Sequence, residues 1–289
     1  MRTAFRTTSA GGRLDADSLP MRLYQKAKRL GTWDPCAIDF TRDREDWLAL
    51  DDERHAALLQ LTSLFQAGEE GVTVDLLPLI MVIAREGRLE EELFLTTFLF
   101  EEGKHMEFFR RFLDEVCEAD GDLSRWHTPS YRRIFYEELP LAMNALADDP
   151  SPEAQVRASV TYNLIVEGVL AETGYHSYAL ALERNGLMPG MLEGVGNVKR
   201  DESRHIAYGV HLLSRLIHES PELWDVAQEQ MNELLEPTMS FLRESFEGYE
   251  EGVTPFGITL DEIMVFASSQ FEKRIDRVRR GAAHEEVEV

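Results

Sequence analysis

The chain has 289 residues, with 53 Asp and Glu against 30 Lys and Arg, and a formal net charge of −23. Nucleic acid binding requires clustered basic residues, and one short cluster at 277–280 does not supply them, so we expect no nucleic acid partner. Cys36 and Cys117 are too few for a disulfide framework, and no run approaches the ~18 apolar residues of a membrane span, which together predict a cytoplasmic protein without a membrane span.

Helix signals follow one another along the chain, and no segment shows the alternation of a strand. Long helices with an apolar stripe are predicted at about 48–66, 90–118, 152–185 and 191–218, with further starts at Leu19-Pro20, Ser220-Pro221 and Thr259-Leu260-Asp261. Pro78 lies in a mostly apolar run, so we expect a kink or break just before it. The pattern predicts an all-α bundle as a single domain over residues 1–281, with a disordered acidic tail at 282–289.

One motif occurs twice. An acid, a Glu, any residue, a basic residue and a His follow in this order at 101–105 and again 100 residues later. Residues three apart on a helix share a face, so Glu102 and His105 can bind one metal ion, as can Glu202 and His205. The repetition indicates two related halves, each contributing to a metal site.

Each half then needs one further carboxylate on the helix before its Glu-x-x-His pair. In the second half, Glu167 is the single acid in an apolar run, 35 residues before Glu202. In the first half, Glu69 lies 33 residues before Glu102, and the adjacent Glu70 fits this spacing slightly worse. Spacing alone favours Glu69 and leaves Glu70 open.

Charge explains why such a set points to metal. Four carboxylates and two imidazoles in a helical core are costly unless cations compensate them, because a buried unpaired charge loses most of its solvation. Two divalent ions would supply that compensation, and carboxylate oxygen with imidazole suits iron or manganese. A single Glu-x-x-His is commonly a solvated surface, so it is the repetition that favours a dinuclear metal site able to deliver two electrons to O₂.

With these motifs the sequence resembles the ferritin-like superfamily of di-metal carboxylate proteins, and within it the small subunit of ribonucleotide reductase and its ligand-binding oxidase relatives. The resemblance covers most of the chain and implies a ferritin-like four-helix bundle core with additional flanking helices. It also implies a set of six metal ligands: Glu69, Glu102, His105, Glu167, Glu202 and His205. Asp201 resembles the family's acid that orients the histidine of the opposite half, here His105, and Trp33 resembles the tryptophan that completes this network.

Two departures argue against a working reductase subunit. The radical tyrosine of that subunit lies four residues after the first metal histidine, where this chain has Phe109, and no tyrosine follows in residues 281–289. The ligand-binding oxidases are matched instead, by Val72 three residues after Glu69 and by Tyr162.

This likeness implies an oxidase that activates O₂ at one manganese and one iron ion, although the ligand types leave a di-iron centre open. It further implies a long-chain fatty acid ligand, a homodimer, and an ether cross-link between the β-carbon of Val72 and the phenol oxygen of Tyr162. The electron donor and the physiological substrate are not encoded in any pattern that we recognise.

Three other functions stay open at this level. The same ligands would support a di-iron desaturase or hydroxylase that acts on an acyl substrate and releases it. A metal-storage protein of the ferritin kind would bind many ions per chain in a large cage. A purely structural bundle would need no metal.

Overall fold

The computed structural model describes residues 8–10 and 12–283, and within them the chain forms helices and no β-strand. The α-helices are α1 (Leu19–Leu30), α2 (Thr41–Ala49), α3 (Asp52–Glu86), α4 (Leu89–Glu115), α5 (Pro129–Arg132), α6 (Leu139–Ala145), α7 (Pro152–Ser159), α8 (Glu172–Asn185), α9 (Pro189–Glu219), α10 (Leu223–Glu244) and α11 (Leu260–Ala282). The remaining helical elements are two π segments, Arg133–Glu138 and Val160–Ala171, and 3-10 helices at Thr8–Ala10, Pro35–Ala37, Ser124–Trp126 and Glu250–Gly252. The predicted all-α class is confirmed.

Four long helical stretches form the core of the bundle: α3, α4, the continuous stretch 152–185, and α9. α3 packs along α4, and α9 packs against α4, α8 and the π segment Val160–Ala171. Helices from both ends of the chain flank this core, because α1 lies against α4 and α9 while α10 and α11 pack on the π segment. This is the predicted core with additional helices around it.

Local signals place most helix ends where we predict them. Ser151 caps the stretch 152–185 by accepting a hydrogen bond from the amide of Ala154 at 3.3 Å, and Pro152 follows at the first helical position. Gly186 ends the same stretch with a φ of +64°, a left-handed conformation that favours glycine. The predicted helices 90–118 and 191–218 correspond closely to α4 and α9.

The predicted helix over 48–66 is wrong at both ends, because α2 ends at Ala49 and α3 runs from Asp52 to Glu86. Leu50, between α2 and α3, is extended, with φ −74° and ψ 153°. The side chain of Asp51 then accepts a hydrogen bond from the amide of Arg54 at 2.9 Å and so begins a new helix. The apolar stripe continues across this cap, so the sequence pattern does not show the break between α2 and α3.

α3 continues through Pro78, so the break that we considered there does not occur. Pro78 leaves the carbonyl of Val74 without its usual helical donor. Val74 is 64% exposed, so water can satisfy that carbonyl. The proline therefore removes one hydrogen bond near the surface without dividing the helix.

The π segment Val160–Ala171 departs from the regular α-helix predicted there. A Cβ atom at Gly168 would lie 2.9 Å from the carbonyl oxygen of Asn163, so this winding requires glycine at that position. Tyr162 and Glu167 both lie in the segment. π turns within α-helices are frequent at functional sites, and this one carries two of the predicted site residues.

Most of the predicted disordered tail falls outside the part of the chain that the structure describes. α11 extends to Ala282, and residues 284–289, which hold most of the predicted disordered tail, lie outside the described residues. The single-domain organisation stays a prediction. None of the helices described is both long and apolar enough to cross a membrane.

Candidate metal centre

Six buried polar side chains meet between the four core helices. They are Glu69 from α3, Glu102 and His105 from α4, Glu167 from the π segment, and Glu202 and His205 from α9. Their ligand atoms form two groups, each within 4.8 Å: Glu69, Glu102, His105 and Glu202 in one, and Glu102, Glu167, Glu202 and His205 in the other. Because Glu102 and Glu202 belong to both groups, the cluster can hold two adjacent metal ions with two carboxylates shared between them.

The structure separates Glu69 from Glu70. Glu69 is 4% exposed and belongs to the first ligand group. Glu70 is exposed and accepts a hydrogen bond from Gln66 at 2.8 Å, one turn earlier on α3. The helix therefore turns Glu69 toward the cluster and Glu70 away from it.

Both histidines point Nδ1 into the cluster. Nδ1 of His105 lies 3.4–3.7 Å from oxygens of Glu69, Glu102 and Glu202. Nδ1 of His205 lies 3.0–3.8 Å from oxygens of Glu102, Glu167 and Glu202. Each imidazole thus offers one nitrogen to the carboxylate side and keeps Nε2 for contacts on the outside.

Several of these buried atoms have no hydrogen-bond partner in the described chain. They are both carboxylate oxygens of Glu102, Oε1 of Glu167, Oε2 of Glu202, and Nδ1 of His105 and His205. Buried polar atoms are nearly always paired, so six unpaired atoms that converge on one place call for a common partner. Two metal ions would satisfy all of them, and the mixture of carboxylate oxygen and imidazole nitrogen fits manganese or iron.

The pKa values show how poorly the protein alone tolerates this concentration of acids. Burial raises the pKa of Glu69 to about 8, and burial together with the charge of Glu202 holds the pKa of Glu167 well above its ordinary value. Burial would also raise the pKa of Glu102, but the nearby histidines outweigh it and lower that pKa to about 2. Bound cations would therefore favour the ionised forms of Glu69 and Glu167.

Asp201 supports His105 from outside the cluster. Its Oδ2 atom accepts from Nε2 of His105 at 3.3 Å, from Nε1 of Trp33 at 2.7 Å and from Nζ of Lys104 at 3.0 Å. The predicted contacts of Asp201 with His105 and Trp33 are thus present. Such an acid fixes the imidazole tautomer, with the proton on Nε2 and the Nδ1 lone pair free for a metal.

His205 has an equivalent partner that our sequence reasoning missed. Oε2 of Glu101 lies 2.9 Å from Nε2 of His205, and Oε1 of Glu101 accepts from Arg204 at 2.5 Å. Glu101 has the same place in the first motif as Asp201 has in the second. The repeat itself therefore carried the signal, because each motif supplies the acid for the histidine of the other.

Val72 and Tyr162 lie side by side at the edge of the cluster. The hydroxyl of Tyr162 is fully buried and donates a hydrogen bond to the carbonyl oxygen of Val72 at 3.1 Å. Burial, reinforced by the surrounding carboxylates, holds the pKa of Tyr162 well above its ordinary value. The phenol therefore keeps its proton at neutral pH.

Tyr175 is a second residue that we did not predict at the site. Its hydroxyl lies 3.3 Å from Oε1 of Glu69 and 3.3 Å from Oε1 of Glu202. Its ring stacks on Phe65 at a centroid distance of 4.9 Å. A tyrosine on a long helix looks like ordinary core packing in the sequence, and only the fold brings its hydroxyl to the carboxylates.

An apolar cleft leads away from the cluster, with a volume of about 1150 Å³ including the part open to solvent. Val72, Tyr175 and the four glutamates of the cluster line one end of it. Tyr249 and Phe256, in the connection between α10 and α11, line it as well. Along α3 the lining runs from Glu69 to Ala57, about 18 Å at ~1.5 Å per residue. The cleft is thus deep and mainly apolar, and its charged side chains lie at the metal end, as in a small-molecule site with one anchoring group.

The chain belongs to the ribonucleotide reductase small-chain family, since the model of the family described as "Ribonucleotide reductase, small chain" matches residues 21–274. It is an oxidoreductase with the predicted ferritin-like helical core and a buried donor set for two metals. A structure of an R2-like ligand-binding oxidase with an aerobically reconstituted Mn/Fe cofactor is 38% identical, with a TM-score of 0.90, over 94% of this chain and 96% of that one.

A mutant of an R2-like ligand-binding oxidase with an anaerobically reconstituted Mn/Fe cofactor is also similar. It is 38% identical, with a TM-score of 0.89, over 94% of this chain and 97% of that chain. Another mutant, with a non-activated Mn/Mn cofactor, gives the same identity and a TM-score of 0.89. The predicted resemblance to the ligand-binding oxidases is therefore confirmed.

Proposed function

We propose that the protein is an O₂-dependent oxidase with a dinuclear manganese–iron centre. The proposed ligands are Glu69, Glu102, His105, Glu167, Glu202 and His205. The observation that carries this proposal is the convergence of six unpaired buried ligand atoms from α4, the π segment and α9, beside the carboxylate of Glu69 on α3. Similar oxidases at 38% identity have a Mn/Fe cofactor, which supports the choice of metals.

The chain's own residues prepare this site for metal. Four carboxylates bring −4 and two divalent ions bring +4, so the loaded core is neutral with respect to its ligands. Asp201 and Glu101 hold the Nε2 atoms of His105 and His205, which leaves both Nδ1 lone pairs directed inward. The hydroxyl of Tyr175 can donate to Glu69 or Glu202 and so limits how far either carboxylate swings.

The proposed ligand is a long-chain fatty acid. Its carboxylate would lie at the metal end of the cleft, and its hydrocarbon chain would follow the apolar lining toward the connection between α10 and α11. Burial of the hydrocarbon chain stabilises the complex by about 0.8 kcal/mol per buried CH₂ group. The same lining keeps bulk water away from the oxidation site.

We also propose that Val72 and Tyr162 become joined by an ether bond. The reaction breaks the Cβ–H bond of Val72 and the O–H bond of Tyr162, and a Cβ–O bond forms. Two electrons and two protons pass to O₂ in this step. The metal ions, when bound, supply the site at which O₂ is reduced and the further two electrons of its four-electron reduction to water.

One experiment tests both the metal centre and the cross-link. The purified chain is loaded with Mn²⁺ and Fe²⁺ without oxygen, divided, and one half is exposed to air. We expect two metal ions per chain by elemental analysis, and an intact mass two hydrogen atoms lower in the aerated half. A ferritin-like store would take up many ions per chain, and an acyl desaturase would consume O₂ in proportion to added fatty acid. The homodimer and the cytoplasmic location stay predictions.

A further inference from the structure

A buried chain of charged groups joins the outer sides of the two histidines. Arg204, which is 3% exposed, directs Nη2 at both Oε1 of Glu101, at 2.5 Å, and Oδ1 of Asp201. The other oxygen of each acid faces a histidine, Oε2 of Glu101 for His205 and Oδ2 of Asp201 for His105. One guanidinium therefore contacts the acids that orient both imidazoles.

The two acids are not supported equally. Oδ2 of Asp201 is shared among His105, Trp33 and Lys104, whereas the side chains within hydrogen-bond distance of Glu101, in the described part of the chain, are those of Arg204 and His205. An oxygen shared among several donors binds each of them less strongly. The histidine contacts agree, at 3.3 Å on Asp201 and 2.9 Å on Glu101.

This difference between the two acids comes from the basic residue that precedes the histidine in each motif. Lys104 and Arg204 each precede the metal histidine of their motif. Lys104 has a compact ammonium, which contacts Asp201 and donates to the carbonyl oxygen of Gly31 at 2.6 Å. Arg204 has several N–H groups on a planar guanidinium and bridges two acids. Lys104 therefore contacts the acid that orients one histidine, and Arg204 contacts the acids that orient both.

Gly31, at the end of α1, leaves the space that this network requires. A Cβ atom there would lie 1.9 Å from Oε1 of Glu101 and 2.9 Å from Nη2 of Arg204. Any larger residue would push the carboxylate of Glu101 away from Arg204. The close approach of Gly31 thus limits where the Glu101 carboxylate can lie and favours its contact with Arg204.

We propose that Arg204 is a positioning residue for both metal half-sites, while Lys104 acts on the His105 half-site alone. This inference rests on the proposed dinuclear function. It predicts a definite pattern: loss of the Arg204 contacts weakens metal binding at both histidines, and loss of the Lys104 contact weakens it at His105 only. Outer partners of metal ligands typically change metal affinity by about 10–100-fold, which sets the size of the effect.

The test is an anaerobic titration of metal-free protein with Mn²⁺, followed by calorimetry. Half-sites are assigned from Mn anomalous scattering in crystals soaked at less than one equivalent. In Arg204→Gln we expect both binding steps to weaken at least tenfold. In Lys104→Gln we expect only the step at His105 to weaken. A purely structural role for Arg204 would lower the melting temperature of the metal-free protein and leave both affinities unchanged, which would overturn the proposal.

A second variant keeps the proposal testable if Arg204→Gln does not fold. Gly31→Ala retains every charge. Its Cβ atom would lie 1.9 Å from Oε1 of Glu101 and 2.9 Å from Nη2 of Arg204, so it displaces the carboxylate of Glu101 most, and we expect the larger weakening of binding at His205 and a smaller one at His105. Equal weakening at both histidines, or none, would overturn the assignment. If the unsubstituted protein itself binds fewer than two Mn²⁺ ions, the proposed function fails instead, so the two failures are distinguishable.

Discussion

The hydroxyl of Tyr162 lies 3.1 Å from the carbonyl oxygen of Val72, although 90 residues separate the two along the chain. This contact places an oxidisable phenol beside a tertiary C–H bond, next to the proposed metal centre. We expect Tyr162→Phe to bind two metals but to show no loss of mass on aeration, because it has no phenol oxygen to form the ether. Intact-protein mass spectrometry measures the difference directly.

Tyr178→Phe is the matched control for that prediction. Tyr178 is also fully buried on the same helical stretch, but its hydroxyl pairs with Thr62 at 2.6 Å and not with Val72. The control should lose two hydrogen atoms as the unsubstituted protein does. Recovery of the Val72 and Tyr162 peptides as separate species from aerated, fully metallated protein would contradict the cross-link.

Glu69 and Glu70 offer a test within one pair of neighbours. Glu69 faces the cluster and Glu70 faces solvent. We expect Glu69→Gln to lower the metal content from two ions per chain to about one, because one ion loses its terminal carboxylate. Glu70→Gln should keep two ions. Elemental analysis after gel filtration decides between them, and equal metal contents in the two variants would refute the assignment of Glu69.

The sequence predicts the six cluster residues because metal ligands on helices recur at characteristic spacings along the chain. Two Glu-x-x-His pairs place their side chains by helix geometry alone, and Glu167 is conspicuous as an acid in an apolar run. The choice of Glu69 over Glu70 depends on the rotation of α3 about its axis, which spacing only weakly constrains. The structure settles that rotation through the packing of α3 on α4.

Other features depend on contacts that no local pattern contains. Tyr175 meets Glu69 and Glu202 only because three helices converge, so its hydroxyl is invisible as a site residue in the sequence. The π segment brings the carbonyl oxygen of Asn163 within 2.9 Å of the place that a Cβ atom at Gly168 would take, a close approach that helical spacing does not predict. Glu101, in contrast, can be predicted from the sequence, because it has the same place in the first motif as Asp201 has in the second.

Metal removal should lower the stability of the protein by a measurable amount. The carboxylates of the metal-free core are costly to ionise, because burial, reinforced by neighbouring carboxylates, raises the pKa of Glu69 and Glu167. We expect Mn²⁺ at about 100 times its Kd to stabilise the fold by roughly 2.7 kcal/mol for each bound ion, seen as a higher melting temperature in calorimetry. Chelation should reverse the change.

Glu167→Gln sharpens this prediction by separating the cost of one buried carboxyl group from metal binding. The substitution replaces a carboxyl group whose ionised form burial disfavours with a neutral amide, and the amide oxygen can still accept from Asn163, which now donates to Glu167 at 2.9 Å. The metal-free variant should therefore melt at or above the temperature of the metal-free parent, and it should gain less from Mn²⁺. A lower melting temperature of the metal-free variant would mean that the buried carboxyl group of Glu167 does not destabilise the metal-free core.

The depth of the apolar cleft gives a prediction about ligand length. Ala57 lines the cleft about 18 Å along α3 from Glu69, so a bulky side chain at Ala57 should obstruct the far end of a long hydrocarbon chain and leave the metal end free. We expect Ala57→Trp to weaken binding of palmitic acid at least tenfold and to leave octanoic acid unaffected, as measured by calorimetry on metal-loaded protein. Ala56→Trp is the matched control, because Ala56 is exposed and does not line the cleft. If Ala57→Trp binds both acids as the parent does, the fatty acid does not follow this path. If it loses both acids alike, the side chain blocks the metal end, and the proposed orientation of the ligand is wrong.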